Sequence, residues 1–230
     1  MDKDYAIYLL QKTHQDYNLI ADQFSSTRRF VWKGFEFLAN YVLPEEKVLD
    51  IGCGNGRLMQ LFREIEIDYT GVDTSERLIN IAKQIYPNEI FQVAEALDLP
   101  LPPSNFDKVF SVAVLHHIPS EKLRLKFFEE ARRVMRPEGL LILTVWDLWR
   151  RPETFFKVAK FFLLKIFGRS KLDFKDILVP WQKKTDRYIH CFTKAELKKL
   201  VEKSGMKVKE TGVLRIPGTH NYNIYIVAEK

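Results

Sequence analysis

Only two cysteines, Cys53 and Cys191, occur among 230 residues, and they lie far apart in the chain. That scarcity excludes a disulfide framework and a zinc site built on paired CxxC motifs, and it suits a reducing cytosol, the compartment expected for this protein. The start of the chain has no apolar core of a signal peptide, since Met1 is followed by Asp2, Lys3 and Asp4. Internal repeats and low-complexity tracts are missing, which argues against a solenoid or a linker-joined pair of domains. What is present is ample core material: 46% of residues are hydrophobic and 13% aromatic. A chain of this size buries about 70% of the surface its unfolded form exposes, so disorder is excluded and a single domain is expected.

The formal charge is +6, and it is unevenly spread. Between Arg150 and Lys175 stand eight basic residues (Arg150, Arg151, Lys157, Lys160, Lys165, Arg169, Lys171 and Lys175) against two acidic ones, Glu153 and Asp173. The rest of the chain is neutral on balance. Such a segment is a candidate contact surface for a polyanion or an anionic membrane, and equally the solvated face of an ordinary helix. Its apolar stretch, Phe155 to Phe167, is broken by three lysines. As a helix it extends roughly 20 Å, short of the ~30 Å hydrocarbon core, so no transmembrane segment is expected. The lysines fall within about 140° of arc, so the segment is expected to lie on an anionic surface or to pack as a lid with its lysines outward.

Helical periodicity opens the chain, through Tyr5, Ile7, Tyr8 and Leu9 and then Tyr17, Ile20, Ala21 and Phe24. A second helix through Phe35 to Val42 stops at Pro44. From Lys47 strands and helices alternate. Strands are expected at 47–51, 69–73, 90–94, 108–112 and 140–145, and helices at 57–65, 76–85 and 122–135. A last helix, 194–203, precedes two strands at 207–213 and 222–228. This rhythm predicts an α/β fold with a mostly parallel sheet covered by helices on both faces.

The most informative stretch is Val48-Leu49-Asp50-Ile51-Gly52-Cys53-Gly54-Asn55-Gly56. A buried strand ends, three glycines at alternate positions let the backbone turn tightly and approach a ligand, and a helix begins. Asp73 ends the next strand, where a ribose with two hydroxyls sits in a doubly wound fold. A dinucleotide-binding dehydrogenase spaces its glycines G-x-G-x-x-G, which these do not match.

With these motifs the sequence resembles the class I S-adenosylmethionine-dependent methyltransferases. The likeness continues through Leu97-Asp98-Leu99-Pro100, Phe106-Asp107, Val114-Leu115-His116-His117-Ile118 and Arg136-Pro137-Glu138-Gly139. It implies a Rossmann-like, seven-stranded sheet whose last strand is antiparallel, with S-adenosylmethionine as cofactor and no metal site. It also implies cofactor contacts. Asp50, Gly52, Gly54 and Gly56 take the methionine part, Asp73 the ribose, and Glu95 and Ala96 the adenine, with Cys53, Asn55, Thr74 and Val112 also expected to bind the cofactor. Glu95 stands where the family more often has Asp.

The flanks resemble the tRNA wobble-uridine carboxymethyl methyltransferases. The likeness rests on residues 17–28 (YNLIADQFSSTR) with Trp32, on Val145-Trp146, on Leu178-Val179-Pro180-Trp181, and on Arg187-Tyr188-Ile189-His190-Cys191-Phe192. Lys33 departs from the proline usual after Trp32, and Ile224 from the usual tryptophan. This likeness implies methylation of the carboxylate of 5-carboxymethyluridine to its methyl ester. The tRNA anticodon loop is then the partner, with a small zinc-binding activator that pairs along a sheet edge in some relatives. An ionised carboxylate needs orientation rather than a base, and a guanidinium fork supplies it. Arg28 and Arg187, each in a flanking motif, are the candidates. His116 is expected to orient substrate and His190 to contact a phosphate or the modified base, while His117 is expected to be structural. Trp146, Trp181 and Tyr188 are candidate stacking surfaces for an extruded base. The alternative is a small-molecule or lipid methyltransferase whose basic insertion forms a lid or lies on a membrane. Along the single domain, residues 1–46 are expected to form a helical cap, 47–148 the cofactor-binding core, 149–177 the insertion and 178–230 the substrate-side part of the sheet.

Overall fold

Strand β1 (Lys47–Ile51) is buried along nearly its whole length, as a strand covered on both faces must be. Around it the computed structural model, which describes residues 1–181 and 184–230, places β2 (Asp68–Asp73), β3 (Ile90–Val93), β4 (Phe106–Val112), β5 (Met135–Trp146), β8 (Lys207–Arg215) and β9 (Tyr222–Glu229). The seven-stranded sheet has the order β3-β2-β1-β4-β5-β9-β8. The first five strands in that order pair in parallel, whereas β9 runs antiparallel to both β5 and β8. The fold is therefore the expected α/β class. Strand order reverses beside β1 and β4, and the crevice at their carboxyl ends is where doubly wound sheets bind ligands.

Side chains alternate between two cores. Leu49, Val109, Leu141 and Leu143 face Phe127, Phe128 and Leu197 of helices α3 (Glu121–Val134) and α5 (Lys194–Lys203). Val48, Phe110 and Ile142 face the other layer, with Phe62, Ile79 and Ala82, the last two from α2 (Glu76–Ile85). Both α2 and α3 start on a serine whose hydroxyl accepts a backbone N–H two residues inside the helix, at Leu78 and Leu123.

Three local expectations need correction. The segments expected to be helical at 57–65 and 35–42 are six-residue 3-10 turns, Arg57–Phe62 and Glu36–Tyr41. Neither has a side-chain cap at its start, and such short uncapped pieces settle for the tighter i to i+3 pattern. Residues 178–190 do not join the main sheet. Strands β6 (Asp176–Trp181) and β7 (Thr185–His190) pair only with each other, as an antiparallel ribbon beside the crevice. The third correction concerns the basic insertion, whose helix α4 is Pro152–Ile166. It docks through Val158 and Phe161 onto Leu148, Ile177 and Ile189, with Thr154 buried beside them. Lys160 and Lys165 are exposed, but Phe155, Phe156, Phe162, Leu163 and Ile166 are exposed on the outward side as well.

Candidate active site

The long helix α1 (Lys3–Thr27) roofs the crevice. Thr13, Tyr17, Phe24 and, just past its end, Arg28 line one cavity together with the glycine loop. At 100° per residue these four positions fall within about 60° of arc, so one face of α1 looks down on the loop. Asn55 ties the two together: its Nδ2 donates to Ser25 Oγ at 3.1 Å and to the Arg28 carbonyl at 3.2 Å. The loop that shapes one end of the cavity thus also positions the arginine at the other.

Gly52, Gly54 and Gly56 all have positive φ. A Cβ on Gly52 would lie 2.3 Å from Val114 Cγ2, and one on Gly54 would project toward Phe24 on the roof, 3.5 Å away. Gly56 lies outside the cavity lining and packs against Phe91. Gly54 N–H donates to Asp73 Oδ2 and Ser75 N–H to Asp73 Oδ1, each at 2.9 Å. Asp50 is buried; its Oδ2 accepts from Tyr69 Oη at 2.9 Å, and its Oδ1 has no partner among the described residues. Burial raises its carboxyl to about 7, against the pull of the Tyr69 hydrogen bond. Cys53, Thr74, Ala96 and Val112 also line the cavity, whereas Glu95 lines an adjoining recess with His14 and Thr74. Ala113, at the end of β4, lines the cavity with φ of 61°, a left-handed conformation uncommon without glycine.

The far end of this cavity meets a second one at four shared residues, Arg28, Trp32, Trp146 and Arg187. The Arg28 and Arg187 guanidiniums flank the ring of Trp181, 4.5 and 4.4 Å from its centroid, and Arg187 also lies over Trp146 at 5.4 Å. Arg57 joins from below, stacked on Trp32 at 4.4 Å. Among the described residues none of the three has a carboxylate partner. Arg187 is only 5% exposed and its Nε is buried without an acceptor. Burial, with Arg28 nearby, lowers Arg57 to about 10 against the opposite pull of the Asp50 carboxylate. A buried guanidinium without a paired carboxylate is costly, and an anion entering beside Arg28 and Arg187 would relieve that cost.

His117 joins this junction although the sequence marked its neighbour. Its Nδ1 lies 2.9 Å from the Tyr188 carbonyl, which only accepts, so Nδ1 carries the hydrogen. Nε2 then accepts from Tyr17 Oη at 2.8 Å, and Tyr17 Oη is 3.5 Å from Arg187 Nη1. Burial, reinforced by Arg187, pushes His117 down to about 3, so it stays neutral. His116 is fully buried, stacked on Trp146 at 4.5 Å, and does not line the cavity. Successive residues of a 3-10 turn point about 120° apart, which is why one histidine faces the cavity and the other the core.

His190 is also misplaced for substrate contact. It is 3% exposed, with Nδ1 2.6 Å from Asp176 and Nε2 2.8 Å from Glu196. Burial raises Glu196, but its bonds to His190 and Lys175 outweigh that and hold it at about 2. Tyr188, expected as a stacking surface, is buried and donates to Asp176 at 2.8 Å. These residues brace the β6–β7 ribbon against α5, and Arg124 of α3 donates to Tyr188 Oη at 3.4 Å. The sequence analysis gave His117 a structural role and assigned none to Tyr17 or Arg57; Tyr17 was signalled by the one-face spacing of α1, Arg57 by nothing local.

Comparison with known proteins agrees with the fold. A family model described as a methyltransferase domain matches residues 49–143. The chain is 30% identical, over 247 aligned positions, to the tRNA (carboxymethyluridine(34)-5-O)-methyltransferase of Schizosaccharomyces pombe, covering 97% of this chain and 98% of the relative. Among solved structures, a SAM-dependent methyltransferase from Methanosarcina mazei matches with a TM-score of 0.74 at 22% identity, over 87% of this chain and 98% of the other. A complex of the Haloferax volcanii Trm112 methyltransferase activator with a methyltransferase matches with a TM-score of 0.63 at 16% identity, over 93% and 96%. The chain belongs to the class I S-adenosylmethionine-dependent methyltransferases. Within that class its likeness to the fission-yeast enzyme runs from end to end rather than through the cofactor half alone.

Proposed function

We propose that this enzyme transfers a methyl group to the carboxylate of 5-carboxymethyluridine at the wobble position of tRNA. The observation that carries the proposal is the pair of guanidiniums, Arg28 and Arg187, held without carboxylate partners where the two cavities meet. The full-length similarity to the fission-yeast methyltransferase supports the same substrate.

The residues around the glycine loop fit the cofactor. Asp50 Oδ1 is an orphaned buried acceptor suited to the ammonium of the methionine part, and Asp73 is suited to the ribose hydroxyls. When bound, S-adenosylmethionine supplies a methyl group activated by its sulfonium. Arg28 and Arg187 would hold the acid with one oxygen turned toward the glycine-loop end of the cavity, where the cofactor would supply that group. An ionised carboxylate would accept that methyl group directly, so its ester would form with no proton to remove. Accordingly, the only histidine lining the cavity among the described residues has its Nε2 already occupied by Tyr17. The nucleoside itself would occupy the second cavity, beside Trp146, Tyr222 and Asn223. A small activator subunit remains part of this proposal, supported by the Haloferax volcanii complex; the free edges at β3 and β8 are where strand pairing is available.

Mass spectrometry of tRNA nucleosides from cells with and without the protein tests the reading. Loss of the methyl ester with accumulation of the free acid is expected, and an unchanged nucleoside profile would remove tRNA as the substrate. A second expectation concerns pH. An ammonium pairs only with ionised Asp50, whose free-enzyme carboxyl sits at about 7, so cofactor affinity should fall by about tenfold per unit as the pH drops below that value. Calorimetry at several pH values checks it, and a flat profile from pH 8 to 5 would place the ammonium elsewhere.

A further inference from the structure

Seven of the large hydrophobic residues exposed among the described residues lie in α4 or just after it. Phe155 (65% exposed), Phe156 (71%), Leu163 (53%) and Ile166 (62%), with Phe167 (74%) at the C-cap, form one stripe. At 100° per residue the stripe spans about 120–140° of arc. It extends past the helix, because the exposed Phe174 packs edge-on against Phe162, 5.4 Å between centroids. Contiguous exposed aromatic area of this kind marks a contact surface rather than ordinary surface scatter.

Charge surrounds the stripe without interrupting it. Lys160 stands at one margin and Lys165 on the other flank, and the exposed Arg169 and Lys171 follow in the next loop. Lys165 pairs with Asp173, while Lys160, Arg169 and Lys171 have no carboxylate partner among the described residues. We infer that this face docks on an anionic lipid bilayer, with α4 lying in the plane of the interface. The combination decides the partner: an apolar centre enters the acyl boundary while basic margins meet anionic headgroups. A phosphate chain would use the cations but gain nothing from Leu163 and Ile166. The stripe is too short to span a bilayer, and no described helix is long and apolar enough to do so.

Flotation of the purified full chain with phosphatidylcholine vesicles, with and without phosphatidylserine, tests this. The chain should float with the phosphatidylserine vesicles and release as salt is raised. Phe155→Ser, Phe156→Ser and Phe167→Ser together should lower the bound fraction by about tenfold or more. Lys160→Glu with Arg169→Glu should abolish the phosphatidylserine preference. All five side chains are exposed and outside both cavities, so methyl transfer in solution should persist in either variant. Absence of flotation, or undiminished binding by the triple serine variant, overturns the inference. So does a result in which the serine substitutions instead dissociate a dimer in sedimentation, or weaken tRNA retention on filters while lipid binding is unchanged.

Discussion

Replacing Arg28 or Arg187 with lysine is expected to lower turnover on tRNA by roughly tenfold or more, with S-adenosylmethionine affinity nearly constant. Lysine keeps the charge but loses the planar fork that gives a carboxylate two parallel hydrogen bonds. It also loses the stacking that fixes both guanidiniums against Trp181, so the cation is no longer held in one orientation. The two positions should not respond alike. Arg187 is buried and anchored through Tyr17 to His117, whereas Arg28 is half-buried and stacked on Phe24 and Trp181. A lysine at 187 therefore leaves a larger void and a less solvated ammonium, and its loss should be the greater. Steady-state kinetics with each variant, alongside a substrate whose carboxymethyl acid is replaced by its amide, decides the matter. The amide should be inert, because it lacks both the charged nucleophile and the arginines' partner. Wild-type rates from both lysine variants would exclude carboxylate orientation by these residues.

Asp73→Ala should weaken S-adenosylmethionine binding by about 2 kcal/mol, roughly thirtyfold. Part of that loss is the ribose contact and part is the loop itself, because Asp73 accepts the N–H groups of Gly54 and Ser75. Asp73→Asn separates them. The amide retains one acceptor oxygen for the loop but removes the charge, so an intermediate affinity is expected. Calorimetry reads both variants, and wild-type affinity in Asp73→Ala would take this carboxylate out of the site.

Local pattern made the cofactor end legible. A buried strand, three alternating glycines and an acid at the end of the next strand are all encoded within about 25 residues, and strand–turn–helix geometry follows from neighbours along the chain. The substrate end is different. Tyr17, His117 and Arg187 meet only because α1 crosses the sheet and the β6–β7 ribbon folds back beside it. No spacing rule brings together residues separated by half the chain. The two histidines show the limit most directly, since a turn of three residues decides which of them reaches the cavity. Arg57 was equally hidden, because a positive residue after a glycine loop reads as a solvated helix start until Arg28 is packed beside it.

The sequence by itself determined the alternating α/β order, the glycine loop with Asp73 and the concentration of charge between Arg150 and Lys175, because each depends on residue type and short spacing. Only the tertiary structure decided that Arg28, Arg57 and Arg187 share one junction and that His190 is a brace rather than a contact. It also decided that α4 turns phenylalanines outward. Those outcomes depend on which side chains are removed from water together. That is settled by the packing of distant elements, whose burial outweighs the local preference of any one residue.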